Sequence, residues 1–121
     1  MRDPDECNTP CYKATLVARV QKRLPPEEEL QGVADLLGLL ADPTRLKIIA
    51  ALAATGELCA CDVAHVLGIS AGATSEQLCT LRAAGLITQR DDGHMVYYQL
   101  QDDRIADLAT QARDHLDQTI S

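Results

Sequence analysis

The sequence predicts a mainly α-helical fold that carries one β-hairpin. Three observations lead there. Two short apolar helical patterns, about residues 60–67 and 71–84, are joined by the tight connection Gly68-Ile69-Ser70. After Gly85 the hydrophobic period changes to that of strands in 86–90 and 94–100, with Asp91-Asp92-Gly93 as the turn between them. The chain has no Phe or Trp and only 3 Tyr, so its core falls to Leu, Ile, Val and Ala, which suits closely packed helices. Together these describe a winged helix-turn-helix.

In chain order, residues 1–24 read as an N-terminal arm with a short helix, and 25–121 as the winged helix-turn-helix domain. Cys7 and Cys11 lie in the arm. Thr9 as N-cap and Pro10 at the first helical position would begin its helix. Residues 12–23 carry Lys13, Arg19, Lys22 and Arg23 and no acid, beside an apolar stripe of Leu16, Val17 and Val20. This segment suits either contact with DNA or with the acidic body, or a solvated amphipathic helix.

Pro25-Pro26 ends the arm, and Glu27-Glu28-Glu29 suits the first turn of a new helix, where acids complement the dipole. Leu30, Val33, Ala34, Leu37 and Leu40 form one stripe of this helix, and Leu36 and Leu39 a second. A helix apolar on two sides wants two partners. Asp42 as N-cap with Pro43 behind it starts the next helix, whose expected buried face is Leu46, Ile49, Ala50 and Ala53 and whose stop is Gly56. At the C-terminus Asp102 caps a last helix with Ile105, Leu108, Ala109, Ala112, Leu116 and Ile120 on one face, a candidate surface for packing a homodimer.

The chemistry centres on Glu57-Leu58-Cys59-Ala60-Cys61-Asp62. Residues at i and i+2 point to nearly opposite sides of a helix, so Cys59 and Cys61 share an ion only if Cys59 keeps extended geometry at the helix start. That position also favours thiolate, since the N-terminal N–H groups and dipole stabilise negative charge. The segment therefore reads as half of a metal site. The alternative is that both are small core residues.

The net charge of −7 has the wrong overall sign for a nucleic-acid binder and requires local basic patches. The shortage of aromatic residues excludes single-strand stacking platforms. No apolar run is long enough to span a membrane, and the polar start Met1-Arg2-Asp3 is no secretory signal, so a cytoplasmic protein is expected. In that compartment the 5 Cys are ligands or free thiols rather than disulfides.

Three segments carry a family resemblance. They are Ala41-Asp42-Pro43-Thr44-Arg45-Leu46, Glu57 to Asp62, and Leu81-Arg82-Ala83-Ala84-Gly85-Leu86-Ile87. They resemble the ArsR/SmtB family of metal-responsive repressors, and the arm cysteines extend the likeness to its cadmium- and lead-sensing CadC branch. The resemblance implies a homodimer that binds a palindromic operator in double-stranded DNA and is released by metal, with no small-molecule substrate. It implies a thiolate site of Cys7, Cys11, Cys59 and Cys61 joined across the dimer. Cd(II) or Pb(II) is the expected effector, with Zn(II) or Bi(III) as further candidates.

The family's second site, on the last helix, corresponds here to Asp102, Arg104, His115 and Gln118. A cation and a neutral amide replace two ligands, so no zinc site is expected there. The reading helix also departs from the family, with Glu76-Gln77 in place of paired histidines. Its candidate DNA contacts are Thr74, Ser75, Gln77 and Arg82, with Arg90 and His94 from the wing. A thiol redox switch on the same fold is the alternative regulator, and Cys79 has no role that the resemblance assigns. An enzyme is disfavoured by the absence of a C-x-x-C, a Gly-rich phosphate loop or paired catalytic carboxylates.

Overall fold

A computed structural model describes residues 11–120, with side chains as far as residue 118. In order, the elements are α1 (Ala14–Arg23), α2 (Glu27–Leu40), α3 (Pro43–Thr55), β1 (Leu58–Cys59), α4 (Ala60–Leu67), α5 (Ala71–Ala83), β2 (Ile87–Asp92), β3 (Met95–Leu100) and α6 (Arg104–Ile120). This is the expected winged helix-turn-helix: α4 and α5 form the two-helix motif, and β2 and β3 the wing.

The chain divides into two compact units, Met1–Asp35 and Leu36–Ser121. The division falls inside α2. Along α2, Leu36, Leu39 and Leu40 pack on the core, whereas Leu30 and Val33 stay exposed.

In the first unit every described residue is exposed. The helix α1 begins at Ala14 behind an extended Lys13 whose side chain caps nothing. The expected Thr9 and Pro10 start lies outside the described residues.

In the second unit local chemistry sets the helix boundaries. The Asp42 carboxylate accepts from the Arg45 backbone N–H at 3.1 Å, and Pro43 opens α3. Gly68 ends α4 at φ +68, a left-handed conformation that glycine adopts without steric cost. Ser70 then caps α5, its Oγ accepting from the Ala73 N–H at 3.1 Å. The core draws Leu40 from α2, Ile48, Ile49 and Leu52 from α3, Val63 from α4, Leu78 and Leu81 from α5, and Leu86 and Ile87 from the root of the wing.

Three sequence expectations need correction. The buried face of α3 is Ile48, Ile49 and Leu52; Leu46, Ala50 and Ala53 instead line a groove against Ala109, Ala112 and Leu116 of α6. The hairpin turn is Gly93-His94, because Asp91 and Asp92 continue β2 opposite Val96 and Met95, and Gly93 supplies the positive φ of +64. A third strand, β1, was not expected. It pairs antiparallel with the wing (Leu58 opposite Tyr98, Cys59 opposite Tyr97) and gives the sheet order β1-β3-β2. Along α6, Ile105 and Ala106 face the core while Leu108 and Leu116 remain exposed. Among the described residues no helix is long and apolar enough to cross a membrane.

Candidate functional site

The paired thiols sit where a strand becomes a helix. Cys59 ends β1 and is the N-cap of α4, with extended φ −81 and ψ 163, and its side chain makes no capping bond. Cys61 is the second residue of α4. The backbone therefore turns between the two residues, as two donors at one helix start require. Their environments differ: Cys59 is buried, at 5% exposure, and Cys61 is open to solvent. Cys61 lines a shallow depression with Ala64, His65 and Ser75. Two soft sulfurs at the positive end of a helix suit a thiophilic cation but make only half of a tetrahedral set. Among the described residues no three Cys, His, Asp or Glu side chains come together to complete one. Cys11 is exposed ahead of α1, and Cys7 lies outside the described residues.

The segment before Cys59 is tied to the wing. The Arg90 Nε and Nη2 donate to the two carboxylate oxygens of Glu57 at 2.9 and 2.7 Å. The hydrogen bond from Arg90 holds the Glu57 carboxyl below its usual range, and the same bond raises the already high Arg90 value. Asp92 lies 3.7 Å from the Arg90 guanidinium, whose central carbon is 4.8 Å from the centre of the Tyr97 ring. On the other side of the wing, Arg82 of α5 donates to Gln89 of β2, whose amide reaches Asp91 at 3.3 Å. The wing is thus fastened both to the thiol-bearing strand and to the reading helix. Neither tether was visible in the sequence, since each joins residues that only the fold brings together.

The expected DNA contacts separate into groups. Ser75 and Arg82 are exposed on α5, with Cys79 on the same face, and His94 is exposed at the wing turn. Thr74 is different: it is buried, at 1% exposure, and its hydroxyl donates to the Ser70 carbonyl at 2.9 Å, so it faces the core rather than a groove. Gln77 is partly buried and accepts from Arg45 Nε at 2.9 Å; Arg45 also donates to the Leu39 carbonyl at 2.9 Å. Arg90 is exposed but already engaged by Glu57.

At the start of α6, Asp102 accepts from the Arg104 backbone N–H at 2.8 Å and from its guanidinium at 3.1 and 3.3 Å. The guanidinium bond, seconded by the backbone bond, holds the Asp102 carboxyl below its usual range. A cation built into the chain thus occupies the carboxylate at this position.

Residues 42–89 match the family described as bacterial regulatory protein, arsR family. The chain is 36% identical over 113 residues to a transcriptional repressor SmtB homologue from Synechocystis, covering 93% of this chain and 85% of that protein. The chain belongs to the ArsR/SmtB family. It is also 34% identical over 108 residues to a cadmium resistance transcriptional regulatory protein CadC homologue from Staphylococcus aureus, covering 89% of this chain and 88% of that one. Its fold resembles a homodimeric winged helix-turn-helix DNA-binding domain from Mycobacterium bovis, with a TM-score of 0.69 and 27% identity over 78% of this chain and 87% of the other. As an ArsR/SmtB protein the chain is a DNA-binding transcriptional regulator and not an enzyme. Its matched residues run from the cap of α3 through α4, α5 and the start of the wing.

Proposed function

We propose that this ArsR/SmtB protein is a metal-released repressor. It binds double-stranded operator DNA as a homodimer through α5 and the wing. Cd(II) or Pb(II), with Zn(II) or Bi(III) as further candidates, binds thiolates of Cys7, Cys11, Cys59 and Cys61, and DNA affinity then falls. The likeness to a cadmium resistance regulator from Staphylococcus aureus supports the effector class, and the exposed stripes on α2 and α6 support the dimer. Within α5, Ser75 and Arg82 are the contacts we assign to DNA, with His94 from the wing.

The observation that carries this reading is the double role of Cys59. Its side chain is a soft donor recessed into the fold, and its backbone is part of the sheet that forms the wing. A bound cation supplies a charge centre that draws thiolates together. A cation that drew the Cys59 sulfur towards Cys61 and the arm thiols would act on the pairing of β1 with β3, and β2 would pass that change to α5 through Gln89 and Arg82. The size of the response is limited by the difference in metal affinity between the DNA-competent and released shapes.

The deciding experiment measures DNA binding under reducing conditions with and without Cd(II), Pb(II) and Zn(II). It compares the parent with Cys7→Ser, Cys11→Ser, Cys59→Ser and Cys61→Ser. Loss of binding in the parent with a thiolate-to-metal absorption band, and a blunted response in Cys59→Ser and Cys61→Ser, is the expected result. Release by a disulfide-forming oxidant but by no metal would overturn it in favour of a redox switch.

A further inference from the structure

We propose that the basic face of α1 binds the phosphate backbone of duplex DNA, adding to the contacts of α5 and the wing. This rests on the DNA-binding reading above and extends it to the first unit.

The starting point is where positive charge is available. Residues 36–121, which contain the whole reading motif, carry six Lys and Arg against eleven Asp and Glu, a net of −5. Part of that positive charge is already neutralised or recessed. Arg90 is ion-paired with Glu57 and Arg104 with Asp102, while Arg45 is partly buried and bonded to Gln77 and the Leu39 carbonyl, which leaves Arg82 as the exposed arginine of the reading helix. The reading helix adds Glu76, which repels phosphate. Affinity for duplex DNA comes largely from Lys and Arg that displace counterions from phosphates. The reading motif supplies few of them.

The helix α1 supplies the rest. Lys13, Arg19, Lys22 and Arg23 lie in or beside it with no acidic residue among residues 12–23, and none of them enters an ion pair among the described residues. The whole helix is exposed. At 3.6 residues per turn, Arg19 and Lys22 fall on one side with Ala14, Thr15 and Ala18, and these five line a shallow depression. Leu16, Val17 and Val20 fall on the other side. The small residues let the helix backbone approach a strand closely, the Thr15 hydroxyl is a further donor, and the two cations flank the approach. Nothing in this face reads base edges, so the contact is one of position and charge rather than sequence.

The test uses the full chain and the triple variant Arg19→Gln, Lys22→Gln, Arg23→Gln, whose substitutions keep helix propensity. The probe is a duplex selected by the protein itself from a randomised pool, with binding followed by anisotropy across a salt series and by hydroxyl-radical footprinting. We expect the variant to bind about ten-fold or more weakly at low salt. Its salt slope should fall by about 0.9 for each phosphate that is no longer neutralised, and the protected stretch of backbone should shrink. Helix content and Tm should not change. An unchanged slope and footprint would overturn the proposal. So would an unchanged slope with a weakened dimer, which assigns α1 to an acidic protein surface, or with abolished binding to phosphatidylserine vesicles, which assigns it to a membrane. If neither protein selects any duplex, the DNA-binding reading itself fails and this inference falls with it.

Discussion

Arg90 grips Glu57 through two nitrogens, at 2.9 and 2.7 Å, and so clamps the wing to the residue two before Cys59. Parallel bonds of this kind fix orientation as well as distance. Beside it, the pairing of Cys59 with Tyr97 places a proposed metal donor in the same sheet. If the clamp helps to carry the response, Glu57→Gln should leave Cd(II) affinity within about three-fold of the parent. The metal-induced fall in operator affinity should shrink by about five-fold or more, a change at the lower end of typical allosteric couplings. Tm should barely move, because an exposed ion pair contributes little. Anisotropy with and without Cd(II) measures the coupling, and an undiminished response in Glu57→Gln would remove the clamp from the mechanism.

The same pair sets an expectation for pH. The hydrogen bond from Arg90 depresses the Glu57 carboxyl. A depressed carboxylate contributes stability that is fully present above its unfolded value and is lost as pH falls through the lower folded value. The clamp is therefore intact at neutral pH and weakens only in acid. Carbon-detected NMR of the Glu57 carboxyl should show a midpoint below the ordinary value of about 4.3. In Arg90→Gln the midpoint should return to the ordinary range; a midpoint that does not move would assign the depression to another cause.

What was legible in the sequence was what a few neighbouring residues decide. Asp42-Pro43 and Gly68-Ile69-Ser70 fixed helix ends because caps act within one turn. Extended geometry at Cys59 was the condition for the two thiols to share one ion, and Cys59 is the extended N-cap of α4. The strand β1 was hidden because it is two residues long, too short for any period, and exists only by pairing with Tyr97 and Tyr98. The face of α3 was misjudged because Leu46-Lys47-Ile48-Ile49-Ala50-Ala51-Leu52 is apolar on nearly every side. The stripe that faces the core is Ile48, Ile49 and Leu52, while Leu46, just as large, stays exposed in the groove beside α6, so composition alone did not single out the buried side. Of the proposed site, the donor types were legible but the burial of Cys59 and the tether through Arg90 were not, since both depend on the distant wing.

Thr74 and Ser75 are adjacent on α5 and should respond oppositely to substitution. Thr74→Val keeps the shape and removes a buried hydroxyl bonded to Ser70, so it should cost about 1 kcal/mol of stability and leave DNA affinity unchanged. Ser75→Ala should leave Tm unchanged and weaken binding to a selected duplex by about two- to ten-fold. Denaturant unfolding and anisotropy on both variants check this, and a Thr74→Val protein with native stability but weak DNA binding would reverse the assignment.

The last helix offers a gain-of-function test. Asp102 is held by the Arg104 guanidinium, so a divalent cation there would have to displace an attached positive charge. The chain with Cys59→Ser and Cys61→Ser should therefore bind no Zn(II) tightly at this helix, and adding His115→Ala should change nothing. Arg104→His with Gln118→Glu removes the competing cation and restores an imidazole and a carboxylate at the positions where the family's second site has them. On the double-serine background these two changes should create about one high-affinity Zn(II) equivalent per chain by calorimetry, because neutral imidazole and carboxylate are both zinc donors. Tight Zn(II) binding in the double-serine protein that His115→Ala abolishes would show instead that the helix retains a working site despite Arg104.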